Sequence, residues 1–366
     1  MIRTLFPGLK DTIYLNTASM SVGCAPAVEA YERAAKQWAA GRFDWLEAER
    51  AGEDARALFA QIVGASPEEI ALVPAVSIAA GIVAANLPPA TRGENIVVPA
   101  NEFSSNFFPW LLLRDRGYEV RVVPASEDGT SADAFGEMAD SGTRLVAVSA
   151  VHSATGFRAD LAAIGQVAAR SGAWFFVDAC QAAGAVPIDV VRDRIDFLAA
   201  SSHKFLLGAR GTGYLFVRRE LFDRMRPVVP GWRAARKPHE SFYGPAMELS
   251  QTASKLDTSL IWFAALAEQA ALGIFRQFGI QGLLDRNAQL SQRLHDALAA
   301  HGSAARSPRH RSTIVSVAVS DPDAAMKRLR AANVMASVRA GRIRLSVHFY
   351  NLEEEIDRAA ALIGPS

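Results

Sequence analysis

The stretch 175–213 constrains this chain more than any other. An apolar run, Trp174-Phe175-Phe176-Val177, ends in Asp178. A second, Phe197-Leu198-Ala199-Ala200, ends in Ser201-Ser202-His203-Lys204, and a loop carrying Gly208, Gly211 and Gly213 follows. Short apolar runs of this kind read as strands of a parallel sheet, which deliver the polar residues at their carboxyl ends into one crevice. Two such ends bring Asp178, Gln181, His203 and Lys204 together.

An acid, a lysine and a histidine in one crevice suit a particular cofactor. Pyridoxal phosphate (PLP) needs a lysine for its Schiff base, an anion to keep its pyridine nitrogen protonated, and donors for its phosphate. Lys204, Asp178, and His203 with Ser201 fill these roles in turn. A lone Asp reads as a helix cap and a lone Lys as a solvated surface group. The string as a whole does not read that way, because Lys204 stands between an apolar run and a glycine-rich loop. That loop is not a dinucleotide fingerprint: its spacing is wrong, and it precedes a strand rather than following one.

Val177-Asp178-Ala179-Cys180-Gln181 followed by Ser201-Ser202-His203-Lys204, with Lys204 about 26 positions after Asp178, and then the run GARGTGYLFV, resembles the class V aminotransferase superfamily. This group includes cysteine desulfurases, isopenicillin N epimerase-like enzymes and kynureninase-like lyases. The resemblance implies fold type I of PLP-dependent enzymes: a large α/β domain with a mainly parallel seven-stranded sheet between helices, and a small α+β C-terminal domain. The expected boundaries are an N-terminal arm at 1–15, a large PLP-binding domain at 16–258, a connecting helix at 259–280 and a small domain at 281–366.

The resemblance assigns further residues. Tyr14-Leu15-Asn16-Thr17-Ala18-Ser19 matches the family's opening segment near the substrate, which makes Asn16 and Ala18 substrate-side residues. Ile70–Val73 is a short strand and Ala75-Val76-Ser77 opens the next helix. A helix N-terminus with a hydroxyl is a natural anion site, and in the family this junction cradles the phosphate. Ser77 aligns with a hydroxyl residue there, and Val76 stands where desulfurases often carry a second one. Ser66-Pro67-Glu68-Glu69 reads as another helix start. Phe103 occupies the position of the residue that stacks on the pyridine ring. It can stack but carries no proton, unlike the histidine of desulfurases.

Ser153 lies near a family asparagine that contacts the cofactor or the substrate carboxylate, and His152 is a candidate for the pocket rim. Gln181 is the family's donor to the phenolic oxygen, and Cys180 reads as an inert buried thiol. Trp232 and Tyr243, in the irregular 230–256, are candidates for shaping the pocket. Thr258 follows Asp257 where the family has a glycine, and its counterpart reaches the phosphate of the partner subunit's PLP. In the run RIRLSVHFYNLEEEIDR, Arg344 is the family's ligand for the substrate α-carboxylate, while Arg342 is expected to point away.

Composition narrows the remainder. Lys and Arg number 39 against 38 Asp and Glu, with no basic stripe, which argues against nucleic acid. No run is long enough to cross a bilayer, the N-terminus lacks a signal-peptide core, and a soluble cytoplasmic protein is expected. Only Cys24 and Cys180 are present, without metal-ligand spacing, so neither a disulfide framework nor a metal is expected. Desulfurases carry a nucleophilic cysteine on a loop just before the Arg344 strand; here Arg339-Ala340-Gly341-Arg342 runs straight into it.

Persulfide chemistry at a protein thiol is therefore not expected. The reading is a PLP enzyme acting on a small α-amino acid through Cα deprotonation by Lys204. It is a β-eliminating lyase or a transaminase, in a homodimer whose second subunit completes the site. The alternatives are an epimerase of the same superfamily or a non-catalytic PLP-binding protein.

Overall fold

The computed structural model describes residues 2–126, 129–303, 305 and 310–363. Met1 and residues 364–366 of the expected terminal segments lie outside these. In chain order the strands are β1 (Ile13–Tyr14), β2 (Ile70–Val73), β3 (Asn95–Pro99), β4 (Glu119–Val123), β5 (Thr143–Ser149), β6 (Trp174–Asp178), β7 (Phe197–Ser201), β8 (Gly213–Val217), β9 (Ile314–Val317), β10 (Val334–Met335), β11 (Ser337–Arg339) and β12 (Arg342–Ser346). The helices are α1 (Ala25–Ala39), α2 (Trp45–Val63), α3 (Val76–Asn86), α4 (Phe108–Leu111), α5 (Ala132–Met138), α6 (Leu161–Ser171), α7 (Trp262–Phe278), α8 (Ile280–Ala300), α9 (Pro322–Ala331) and α10 (Glu353–Ile363).

Seven strands form one sheet in the order β2-β8-β7-β6-β5-β3-β4. From β7 to β4 every pairing is parallel; β8 runs antiparallel to both neighbours. All residues of β3, β6, β7 and β8 are buried, because helices cover both faces and leave no solvated side to alternate with. Two apolar cores result, one on each face. Alternate residues of β6 divide between them: Phe175 and Val177 on one side, Trp174 and Phe176 on the other. The fold is that of the class expected.

Helix limits follow local chemistry. Asp44 caps α2 by accepting from the Leu46 and Glu47 amides, and Gly64 ends it in the left-handed region at φ 74°. Asp160 and Gly172 bound α6 in the same way. Ser66 behaves differently from expectation. Its amide donates to Glu69 and Pro67 follows, but only one 3-10 turn (Pro67–Glu69) forms, since Ile70 enters β2 at once. The start signal is genuine, and the β-branched, apolar run behind it overrides propagation.

Toward the C-terminus β11-β12-β9 form a second, antiparallel sheet packed on α8, α9 and α10. The N-terminal strand β1 pairs with β10, and Asn16 bridges to Ser346. The chain's first ordered strand is thus built into its last sheet region. Among the described residues no helix is long and apolar enough to cross a membrane, and no cluster of metal-ligating side chains occurs.

Candidate active site

The strand order reverses between β3 and β5: from β3 the chain goes outward to β4, then returns to the other side. Ligands of open α/β sheets bind at the carboxyl edge of such a switch. Four strand ends meet there, carrying Glu102-Phe103 after β3, Ser149 ending β5, Asp178 ending β6 and Ser201 to Lys204 after β7.

Asp178 is buried at 5 % exposure. One carboxylate oxygen accepts from the Cys180 amide at 2.8 Å, and no cation forms an ion pair with it among the described residues. Burial raises its pKa, with the Cys180 amide and the Lys204 charge opposing. Lys204 Nζ lies 5.8 Å from the centroid of the Phe103 ring. Phe103 is half exposed, so it is not core; its ring is open to whatever enters the crevice.

Around them sit two buried polar atoms with no hydrogen-bond partner among the described residues, Gln181 Oε1 and His203 Nδ1. Native interiors leave few such groups, and each calls for a partner from outside the chain. Gln181 Nε2 donates to the Ala18 carbonyl at 3.0 Å, and the Ser21 amide donates to the His203 carbonyl at 2.8 Å. The first ties the N-terminal segment to the turn after β6, the second to the lysine loop. His203 is pushed down to about 4 by burial and by the Lys204 and Arg210 charges. It is neutral at physiological pH and offers a single N–H rather than a charge.

Helix α3 opens with Ala75 as its cap residue, which has no side chain to satisfy the first amides. Ser77 stands exposed one residue into the helix, beside Ser104 and Ser105 in a groove. The Val76 side chain is buried in the core, so this position contributes only its backbone amide, a correction to any side-chain role for it. An uncapped helix start, a buried anion without a cation, a lysine and an open aromatic face together fit a cationic aromatic ring bearing an anionic group. PLP is such a molecule.

On the other side of the crevice stands Arg344, 2 % exposed. It donates to the Ser153 carbonyl at 2.7 Å, the Ser19 hydroxyl at 2.6 Å and the Ser337 hydroxyl at 3.2 Å. All three acceptors are neutral. Burial and the nearby Arg339 charge pull its pKa down to about 10. Ser153 thus engages through its backbone carbonyl rather than a donated hydroxyl hydrogen bond. Asn16 accepts from Ser19 at 2.8 Å and so holds the hydroxyl that Arg344 uses, while the Ala18 amide donates to Ser346.

Several expectations need adjusting. Arg342 does not point away from Arg344. Its Nε donates to Ser316, which stands opposite Arg344, because residues two apart on a strand share a face. His152 holds the Asn101 carbonyl through Nε2 at 2.8 Å and Thr155 through Nδ1 at 2.9 Å, so it ties two loops together. Trp232 packs against Trp45, His239 and Phe242, and Tyr243 is almost fully exposed. Thr258 donates its amide to the Leu72 carbonyl at the end of β2. Cys24 and Cys180 have raised pKa values, that of Cys180 reaching about 11 through burial and the Asp178 charge, and neither is an activated thiol.

Two carboxyls were missed in the sequence. Glu102 accepts from the Ser149 amide at 2.6 Å and from its hydroxyl, bridging β3 to β5 at the switch. Burial and Asp178 push it up to about 7. Glu268, buried on α7, accepts from Tyr214 at 2.8 Å and Thr212 at 3.1 Å. A Cβ at Gly208 would sit 1.7 Å from its Oε2, so the loop bearing Lys204 closes around this carboxyl only with glycine there. Glu102 directly precedes Phe103, the signal that could have found it; Glu268 had none, lying on an ordinary amphipathic helix.

Residues 14–359 match the family described as "Aminotransferase class-V". An uncharacterized aminotransferase, YcbU, of Bacillus subtilis (strain 168) is 30 % identical, with the match covering 98 % of this chain and 95 % of that protein. A probable cysteine desulfurase of Methanothermobacter thermautotrophicus is 30 % identical across 97 % and 94 %. Among solved structures, the cystine C-S lyase C-DES with its product cysteine persulfide superposes with TM-score 0.87 at 22 % identity, covering 98 % of this chain and 100 % of that one.

Proposed function

Because the chain belongs to the class V aminotransferase family, we propose that it is a PLP-dependent enzyme that eliminates a β-substituent from, or transaminates, a small α-amino acid, without forming a persulfide on a cysteine of its own. Pyridoxal phosphate is the cofactor of this family, and the crevice residues suit it. The observation that carries the reading is Asp178: a buried carboxylate that makes no ion pair among the described residues, near enough to Lys204 to feel its charge.

When bound, the cofactor supplies an electron sink for negative charge at the substrate Cα. Asp178 holds the proton on its ring nitrogen. Phe103 covers a ring face and excludes water. The α3 amides at Val76 and Ser77, with Ser201 and His203, would hold its phosphate, and Gln181 would donate the second hydrogen of its Nε2 to the phenolic oxygen. Arg344 grips the α-carboxylate with its planar set of donors. Lys204 Nζ takes the proton from Cα and delivers it again.

The choice against persulfide chemistry rests on the β11–β12 turn. Arg339 pairs directly with Arg342, and only Ala340 and Gly341, with φ 48° and 71°, lie between them. This tight hairpin offers no loop and no thiol. The homodimer is favoured by the apolar surface beside Ser77, where Ile78, Phe103, Phe108 and Leu112 are exposed. Thr258 would then serve the partner's phosphate.

Reconstitution with PLP followed by visible absorbance tests the reading. A band that shifts when amino acids are added is expected. Ketoacid with ammonia marks the lyase, and cofactor left in the amine form marks the transaminase. Absence of any band would overturn the assignment. Monomers alone in light scattering would overturn the dimer.

A further inference from the structure

The crevice side of the small antiparallel sheet is a row of cations. Ser337 stands opposite Arg344, and Arg339 opposite Arg342. Alternation along both strands therefore puts Arg339, Arg342 and Arg344 on one face. Arg344 reaches Ser153 and Ser19 from that face, which fixes its direction toward the crevice. The other face, with Ile343, Leu345, Val315 and Val317, is buried in the C-terminal core.

Arg344 is buried against neutral acceptors only. Arg339 lies exposed at the hairpin end, donates to the Val338 carbonyl at 2.8 Å and makes no ion pair among the described residues. Its charge is close enough to disfavour the charged form of Arg344. Arg342 is turned to Ser316, and the two like charges that act on each other, Arg339 and Arg344, cost free energy on this partly desolvated face that anions recover. One α-carboxylate balances only one of them. Resting on the amino-acid reading above, we propose that the substrate carries an acidic side chain, its α-carboxylate held by Arg344 and its side-chain carboxylate drawn to Arg339. The tight turn at Ala340-Gly341 keeps Arg339 beside the site instead of on a long loop.

The test is a spectral titration of the PLP-loaded enzyme with L-aspartate and L-glutamate against L-asparagine, L-glutamine and L-alanine, which reads Kd without turnover. The acids should bind at least about fivefold more tightly than their amides, as one partly exposed ion pair permits. Added salt should erode the difference. Arg339→Gln should abolish the preference while leaving the amides' Kd within about twofold. Equal binding of acids and amides, or a preference that survives in Arg339→Gln, overturns the proposal but leaves the amino-acid enzyme standing. Failure of every amino acid to perturb the spectrum overturns both.

Discussion

Two regions of this molecule bury several charges each, and they do so in opposite ways. Beneath the β2 edge, Arg56, Arg233, Glu49 and Asp257 are all buried. Arg56 Nη2 meets Asp257 at 2.6 Å, Arg233 meets Asp257 at 3.2 Å and also contacts Glu49, and Glu49 accepts from Trp262 at 2.7 Å. Asp257 further accepts from the Leu72 amide at 2.8 Å. Two buried cations answer two buried anions, and the partly exposed Glu53 accepts from both guanidinium groups, from Arg56 at 2.8 Å and from Arg233 at 3.0 Å. In the crevice, by contrast, neither Asp178 nor Arg344 makes an ion pair among the described residues: Asp178 accepts from the Cys180 amide, and Arg344 donates to neutral oxygens. Satisfied buried charges hold a fold together; charges left without a counter-charge mark where a molecule from outside belongs.

Substitutions can break or sharpen this contrast. Lys204→Ala should have the largest effect, reducing turnover to below a few per cent and leaving no cofactor attached to the chain after borohydride reduction. Substantial remaining turnover would remove Lys204 from its role. Asp257→Ala should lower the stability of the cofactor-free protein by about 3 kcal/mol, since two buried guanidinium groups lose the buried anion they share; chemical denaturation reads this directly. Arg344→Ala should weaken amino-acid binding by roughly 10- to 100-fold, the value of a charge-assisted hydrogen bond, with little change in melting temperature.

Asp178→Asn inverts the Asp257 result. The cofactor-free protein should become more stable, by about 1 kcal/mol, while PLP affinity and turnover fall. A destabilised apo Asp178→Asn protein would mean that Asp178, like Asp257, serves the scaffold. A further prediction concerns pH. Burial raises Glu268 from 4.5 to about 7, so the folded state holds a proton that the unfolded state releases. Its contribution is fully present below about pH 4.5 and is lost as pH rises toward 7; Glu102 has the same sign. The apo melting temperature should decline across that window, and Glu268→Gln should flatten the decline.

Sequence was a good guide where one residue carries one signal. The apolar runs of β3 and β6 appear at their expected positions, because strands buried on both faces are written as uninterrupted apolar stretches. Asp178, His203 and Lys204 were legible because each ends or follows such a run. Legibility failed where the meaning of a residue depends on distant partners. Asp257 read as a departure from a glycine, yet it anchors Arg56, 201 positions away. Glu268 gains its surroundings from a loop folded back over α7. Arg342 shares its face with Arg344, since residues two apart on a strand point the same way. The short β1, β10 and β11 carry too few residues for a period to show, and pairing alone defines them.

The pairing of β1 with β10, and of Asn16 with Ser346, has a consequence for how the protein is made. Ile13, Tyr14 and Asn16 find their strand partners only when Val334, Met335 and Ser346, more than 300 residues later, have left the ribosome. Gln181 and Arg344 lean on that same early segment, through Ala18 and Ser19. A nascent chain can fold its large sheet during synthesis, but the crevice closes only after the last strand emerges. Loading with cofactor in its final geometry therefore waits for the segment through Ser346, and chains cut short before Ser346 should fold much of the large sheet without retaining the ligand.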